Sequence, residues 1–327
     1  MSPTAVSIRD VCAAPGARAF DFLSIGETPI DLIQMPVVII NGARPGPKLC
    51  LTAGVHAAEY PAIDAVMRVA SELDPSELAG TVIAVPVVNL SMFQRRSGFL
   101  SPIDGLNLNR TAPGNPNGTI SERLVHTLLN DVVSMCDYHI DCHGGDVGEI
   151  LWPYAGYALT GDADLDQRGE AIARLYSPHI VALYREGSTL PPTAGSVTYQ
   201  ATRRGVVSIL AEAGSNGALD PVDAEIHRSG IYNVLRHLDM LPGEPADSET
   251  KVLAVDQFVV SAQRGGLLRL KIEIGEALTE GQEVAEICNV FGETVERIYM
   301  PRAGIARLIW SAKAVNTGDP IVKCWII

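Results

Sequence analysis

The most constraining feature of this sequence is an alternation, over its first two-thirds, of short apolar runs with segments whose apolar residues recur at helical spacing. Lys48 to Val55 (KLCLTAGV) reads as a buried strand. Pro61 to Leu73 then places Ala62, Ile63, Val66, Val69 and Ala70 on one helical face. Pro61 suits the first turn of that helix, where its missing N–H would lack a partner anyway. Thr81 to Val88 (TVIAVPVV) is another apolar strand, and Ser121 to Met135 reads as a helix with Ser121 as its N-cap. Tyr138 to Cys142 and Gly205 to Leu210 are further short strands. Apolar strands separated by helices predict an α/β fold, with a mostly parallel sheet covered by helices on both faces.

The pattern changes after residue 243. Leu241 to Glu249 is rich in Pro and acidic residues and reads as a linker. From Val252 to Ile327, short β-type runs are separated by Gly265, Gly266, Gly275, Gly281, Gly292, Gly304 and Gly318, which predicts a small β domain with many turns. The run from Gly266 to Gln282 resembles the hairpins of a biotinyl/lipoyl-type barrel sandwich. No Lys occupies the hairpin tip, where Gly292-Glu293 stands, so neither modification is expected. The chain therefore divides into an α/β domain at 1–243, with a β extension over about 1–45, and a small β domain at 244–327. At roughly 150 residues per domain, 327 residues fit two.

Composition excludes several classes. With 47% hydrophobic and 19% charged residues the chain is neither a disordered tail nor a fibrous repeat. A formal net charge of -13 repels phosphate backbones, so nucleic acid is not an expected partner. No apolar run approaches the roughly 18 residues of a membrane span, so no membrane is expected either. The N-terminus carries neither a basic nor an apolar leader segment, which places the chain in the cytoplasm. Six cysteines without a C-x-x-C pair read as small buried thiols in a reducing compartment. Nothing in the sequence fixes the number of subunits, and a homo-oligomer is compatible with it.

Four short motifs carry chemistry. In Gly54-Val-His56-Ala-Ala-Glu59 an imidazole and a carboxylate three residues apart, just after a strand, can point at one centre. The carboxyl ends of strands are where open α/β sheets bind ligands. In His139-Ile-Asp141-Cys-His143-Gly-Gly145, His143 ends a strand and two glycines allow close approach. Two His and one Glu form a set used by catalytic zinc, with a fourth position left open. Asp141 shares the strand face of His143 and could support it from behind. His139 lies on the same face but roughly 13 Å along the strand, too far to ligate the same ion. Asn109-Arg110 offers an amide and a guanidinium suited to a carboxylate. Glu212 ends an apolar strand, where burial would raise its pKa and equip it to take a proton from water.

Taken in order, His56-x-x-Glu59, Asn109-Arg110, Asp141-x-His143 and Glu212 resemble the succinylglutamate desuccinylase/aspartoacylase family, relatives of the zinc carboxypeptidases. The resemblance covers roughly residues 20–327. It implies a zinc-dependent amidohydrolase that removes an acetyl- or succinyl-type group from a small N-acylated amino acid or related amine. It further implies one Zn²⁺ on His56, Glu59 and His143, with Glu212 as general base and Asn109 and Arg110 on the substrate carboxylate. Many members carry an Arg three residues before the Pro of the S-P-x-D-G run, where this chain has Phe99. Either Arg95 or Arg96 takes its place, Arg96 being assigned to substrate binding, or carbonyl polarisation rests on the metal alone; the resemblance also implies that the C-terminal domain borders the site. A metallocarboxypeptidase acting on small peptides shares the metal set, and a non-catalytic binding protein built around the C-terminal domain is a third reading. A serine hydrolase on Ala213-Gly-Ser215-Asn-Gly217 lacks room for its Asp and His, since only His227 and His237 follow.

Overall fold

The structure, a computed structural model, describes residues 3–185, 194–246 and 252–327. A hairpin of β1 (Val6–Ile8) and β2 (Val11–Ala13) precedes the long strands β3 (Ala17–Glu27) and β4 (Leu32–Asn41). Then come β5 (Arg44–Thr52), α1 (Tyr60–Glu72), β6 (Ala79–Val85), α2 (Leu90–Arg95) and α3 (Ile120–Thr127). The second half of the α/β region runs through β7 (Tyr138–His143), β8 (Glu149–Leu151), β9 (Tyr154–Ala158), α4 (Ala163–Tyr176) and β10 (Ile180–Tyr184). It closes with α5 (Val197–Thr202), β11 (Val207–Glu212), α6 (Pro221–His237) and β12 (Val252–Ala254).

Nine strands form one sheet in the order β12-β10-β9-β11-β7-β5-β6-β4-β3. Its centre, β6-β5-β7-β11, is parallel, as continuous apolar strands require when both faces are covered. One face is covered by α1, α4 and α6 through Ile63, Val66, Ile172, Ile231 and Val234. The other is covered by α3, α5 and the residues following α3, through Leu124, Leu128, Val132 and Val197. Among the described residues no helix is long and apolar enough to cross a membrane.

The predicted helix from Ser121 departs in its cap. Thr119 is the N-cap: its hydroxyl accepts from Glu122 N, and Glu122 Oε2 accepts from Thr119 N at 2.7 Å, a reciprocal pair that T-x-x-E encodes. Ser121 instead donates its hydroxyl to Asp104 at 2.7 Å. The helical run continues past α3 to Met135 through one π turn and one 3-10 turn.

The C-terminal region contains two packed antiparallel sheets. β13 (Asp256–Ser261), β14 (Gly266–Leu270), β15 (Ala277–Leu278) and β16 (Glu283–Cys288) are followed by β17 (Thr294–Tyr299), β18 (Gly304–Trp310), β19 (Ala314–Val315) and β20 (Pro320–Ile326). One sheet has the order β13-β20-β18-β15 and the other β17-β16-β14-β19, with Leu268, Val284, Ile287 and Val322 between them. The region is anchored by backbone: β8 pairs with β18, Ile309 facing Ile150. Residues 247–249 of the expected linker lie outside the described residues, and β12 beyond it is still part of the large sheet.

A polar chain crosses the middle of the parallel sheet. Thr52 on β5 donates to Asp141 Oδ1 at 2.6 Å, so its oxygen accepts from His139 Nε2 at 2.9 Å. Ser208 on β11 then donates to His139 Nδ1 at 2.8 Å. Burial outweighs the attraction of Asp141 and holds His139 at about 4, a neutral ring at neutral pH.

Truncating a central strand should be costly: Leu51→Ala, at a fully buried position, is expected to lose about 2–5 kcal/mol in chemical denaturation. A loss under about 1 kcal/mol would contradict the described core. The polar chain gives a pH dependence. Because the folded pKa of His139 lies below its unfolded value, the unfolded chain binds the extra proton first, and stability falls as pH drops from about 6.5 to 4. His139→Gln should remove that contribution, so its thermal midpoint should fall less steeply over this range than the wild type's. Parallel slopes would refute the neutral buried ring.

Candidate active site

Three strand ends converge. β5 stops at Thr52, and the chain turns through Ala53–Ala58 to put His56 beside Glu59, which is the N-cap residue of α1. The Glu59 carboxylate does not cap the helix; it turns toward two imidazoles instead. Its Oε1 lies 2.9 Å from His56 Nδ1 and its Oε2 2.9 Å from His143 Nδ1. His143 is the last residue of β7, and Glu212, the last of β11, stands in register beside it. Gly144 makes that proximity possible: a Cβ there would lie 2.5 Å from the Ala213 carbonyl oxygen.

His56, Glu59 and His143 are all buried, and one donor atom from each falls within 4.8 Å of the others, close enough to share a metal ion. Their charges are coupled. Burial alone would raise Glu59, but the two imidazoles outweigh it and hold the carboxylate at about 2. The same pairing raises His56 and His143 against the opposing effect of burial. Each imidazole is oriented by its second nitrogen. His56 Nε2 meets Asn107 Oδ1 at 3.0 Å, and His143 Nε2 lies 3.4 Å from Asp141 Oδ2. Asp141 is anchored in turn by Thr52 and by Thr198 at 3.1 Å. Burial opposes its charge, yet the imidazoles and hydroxyls keep its pKa well below the usual carboxylate range.

These groups open into a cavity of about 220 Å³ lined by Asn109, Arg110 and Glu212 from the α/β region. Asn109 and Arg110 sit in a short 3-10 turn, capped by Asn107 Oδ1 on Asn109 N at 2.9 Å. Asn109 Oδ1 and Glu212 Oε2 are buried without a hydrogen-bond partner, so both are available to a ligand. Burial pushes Glu212 up to about 8, with His143 opposing the rise and Glu59 adding to it.

Arg96 does not join them. It ends α2 in the left-handed region at φ 54°, exposed and outside the cavity wall. The turn delivers Phe99 instead, whose ring packs edge-on against His56 at 5.4 Å while its N–H donates to Asp146 at 2.9 Å. Ser215 accepts from the Leu151 N–H at 3.1 Å, a structural contact.

The C-terminal region contributes residues that local motifs did not reveal: Gln257, Arg307, Leu308 and Lys323 close the opposite wall. Arg307, 5% exposed, donates to Tyr154 OH at 2.9 Å and lies over the Trp325 ring. Lys323 Nζ is 3.9 Å from the buried Glu149 on β8. The available signal was a charge inside an otherwise apolar strand, Gly304-Ile-Ala-Arg307-Leu-Ile-Trp310.

The chain has relatives among known proteins. Residues 45–238 match the Succinylglutamate desuccinylase/Aspartoacylase catalytic domain. The chain is 28% identical over 319 residues to an N-alpha-acetyl-L-2,4-diaminobutyric acid deacetylase of Halomonas elongata, covering 91% of this chain and 87% of that one. A succinylglutamate desuccinylase/aspartoacylase from Rhodobacter sphaeroides superposes with TM-score 0.84 at 26% identity, over 99% of this chain and 98% of the other. The product-bound ectoine utilization protein EutE (DoeB) from Ruegeria pomeroyi shares the fold, with TM-score 0.85 at 24% identity over 95% of each chain. The matched domain spans more than half of the sequence and includes the ends of β5, β7 and β11: this chain belongs to the succinylglutamate desuccinylase/aspartoacylase family.

Proposed function

We propose that this chain is a zinc-dependent amidohydrolase that removes an acetyl- or succinyl-type group from a small N-acylated amino acid or related amine. The observation that carries the reading is the buried His56–Glu59–His143 cluster sharing one cavity with Glu212, whose buried Oε2 has no hydrogen-bond partner. Two imidazoles and one carboxylate are a donor set that fits Zn²⁺ with a position left for substrate or water. When bound there, the ion would act as a Lewis acid, polarising the acyl carbonyl and acidifying water.

The remaining chemistry belongs to the chain. Glu212 takes a proton from the attacking water and returns it to the departing amine, a transfer its buried, unpaired oxygen is placed to make. Arg110 and Asn109 hold the substrate carboxylate, the guanidinium supplying charge and the amide direction. His56 and His143 are kept in orientation by Asn107 and Asp141. The cavity volume and the wall from β18 and β20 favour a small substrate over an extended peptide. The Halomonas elongata relative is named for N-alpha-acetyl-L-2,4-diaminobutyrate, which makes that compound the first substrate to assay.

Glu212→Gln is expected to lower kcat by about 100-fold or more while one metal ion per chain is retained. Turnover near the wild-type level would remove Glu212 from the reaction. Arg110→Gln should raise KM about 10–100-fold for substrates bearing a free carboxylate, the cost of a charge-assisted hydrogen bond of about 1.5–3 kcal/mol. An unchanged KM would place the carboxylate elsewhere in the cavity.

A further inference from the structure

His227 takes no part in the chemistry above, yet it is fully buried directly behind the site. It projects from α6, and its Nε2 lies 2.9 Å from the carbonyl oxygen of His143 and 3.1 Å from that of Ala213. Carbonyls only accept, so Nε2 carries the hydrogen and is shared between them. Tyr176, the last residue of α4, places its hydroxyl 2.7 Å from Nδ1. With Nε2 as the donor to both carbonyls, the Tyr176 hydroxyl at Nδ1 holds the ring from its other side. The Cys142 thiol, 3.6 Å away, completes the chain to that hydroxyl.

The two carbonyls are not arbitrary. One belongs to a residue of the metal-ion cluster and the other to the residue after Glu212, and they are already linked by Ala213 N–H on the His143 carbonyl at 3.1 Å. Neighbouring packing accommodates the arrangement. Gly230, one turn along α6, faces Tyr176, and a Cβ there would meet its ring carbons at 2.9 Å. Two helices distant in sequence thus deliver a donor to the point where β7 and β11 end.

We propose that His227 is a positioning residue: its imidazole clamps the backbone at His143 and Ala213 and so sets the distance between the metal-holding imidazole and the Glu212 carboxylate. The proposal rests on the deacylase reading for its catalytic consequence, but the clamp itself is testable without turnover.

The test compares wild type with His227→Leu, His227→Gln and Tyr176→Phe. Each is measured for thermal unfolding, zinc affinity by competition with a chromophoric chelator, the visible spectrum of the Co²⁺-loaded protein, and kcat and KM on N-alpha-acetyl-L-2,4-diaminobutyrate. A lost support behind a metal ligand typically costs about 10–100-fold in affinity or activity. His227→Leu should therefore lower kcat or zinc affinity by about that factor, alter the Co²⁺ spectrum, and leave KM within about twofold. His227→Gln, whose amide still donates, should recover most of the loss, and Tyr176→Phe should shift the spectrum in the same direction by less. A folded His227→Leu protein with wild-type kcat, zinc affinity and Co²⁺ spectrum overturns the proposal and leaves His227 a packing residue. Should His227→Leu not fold, His227→Gln and Tyr176→Phe decide, wild-type spectra and affinities in both overturning it. A wild type that releases no amine from a panel of N-acetyl and N-succinyl amino acids and amines, while its Co²⁺ spectrum still shifts in His227→Leu, upholds the clamp and refutes the deacylase reading.

Discussion

A carboxylate with 2% of its surface exposed, as Glu59 has, is unstable unless neighbouring groups balance its charge. Two imidazoles at 2.9 Å provide that balance, and the rest of the site follows from their requirements. Imidazoles so buried need their outer nitrogens oriented, which Asn107 and Asp141 do. Asp141, itself fully buried, then needs donors, and Thr52 and Thr198 supply them. The polar groups continue from Asp141 through Thr52 to His139 and Ser208 in the middle of the sheet, while His143 Nε2 faces Asp141 at 3.4 Å without a hydrogen bond. The arrangement requires strands β5, β7 and β11 to be adjacent and parallel, since only then do their carboxyl ends meet at one point.

Much of this was legible because the relevant spacings are local. His56 and Glu59 stand at i and i+3 across one turn, and period-two alternation puts Asp141 behind His143 on one strand face. Glu212 was identifiable as the polar end of an apolar strand. The α/β class followed from the strand and helix alternation, although the strands begin or stop a few residues from where apolar runs suggest. β5 ends at Thr52 rather than Val55, because the chain must already turn to present His56. The Ser121 cap was misread for a related reason: Ser121 and Thr119 are both competent caps, and only Thr119 has Glu122 at the reciprocal position.

What the sequence hid is contributed at long range. Arg307, Gln257 and Lys323 reach the cavity because β8 and β18 pair, an event with no local periodic trace. Those two strands lie more than a hundred residues apart, and the side chains they orient are ordinary polar residues of a β region. Arg96 is exposed and does not line the cavity. Its proximity in sequence to Phe99 suggested a substitute cation, but the left-handed turn that ends α2 leaves it in solvent. Among the described residues the cations lining the cavity are Arg110, Arg307 and Lys323, two of them from the C-terminal region, so that region forms part of the cavity wall and not merely a cover.

The central claim is that the buried cluster holds one metal ion on which hydrolysis depends. The most direct measurement is metal content by plasma mass spectrometry, with amine release from N-acetyl and N-succinyl amino acids, on protein before chelation, after it, and after zinc is returned. The account predicts about one zinc per chain, loss of amine release with the metal, and recovery at one equivalent, all absent when Glu59 is replaced by Ala. Amine release undiminished in metal-free protein, or a folded chain that takes up no zinc at neutral pH, would contradict it.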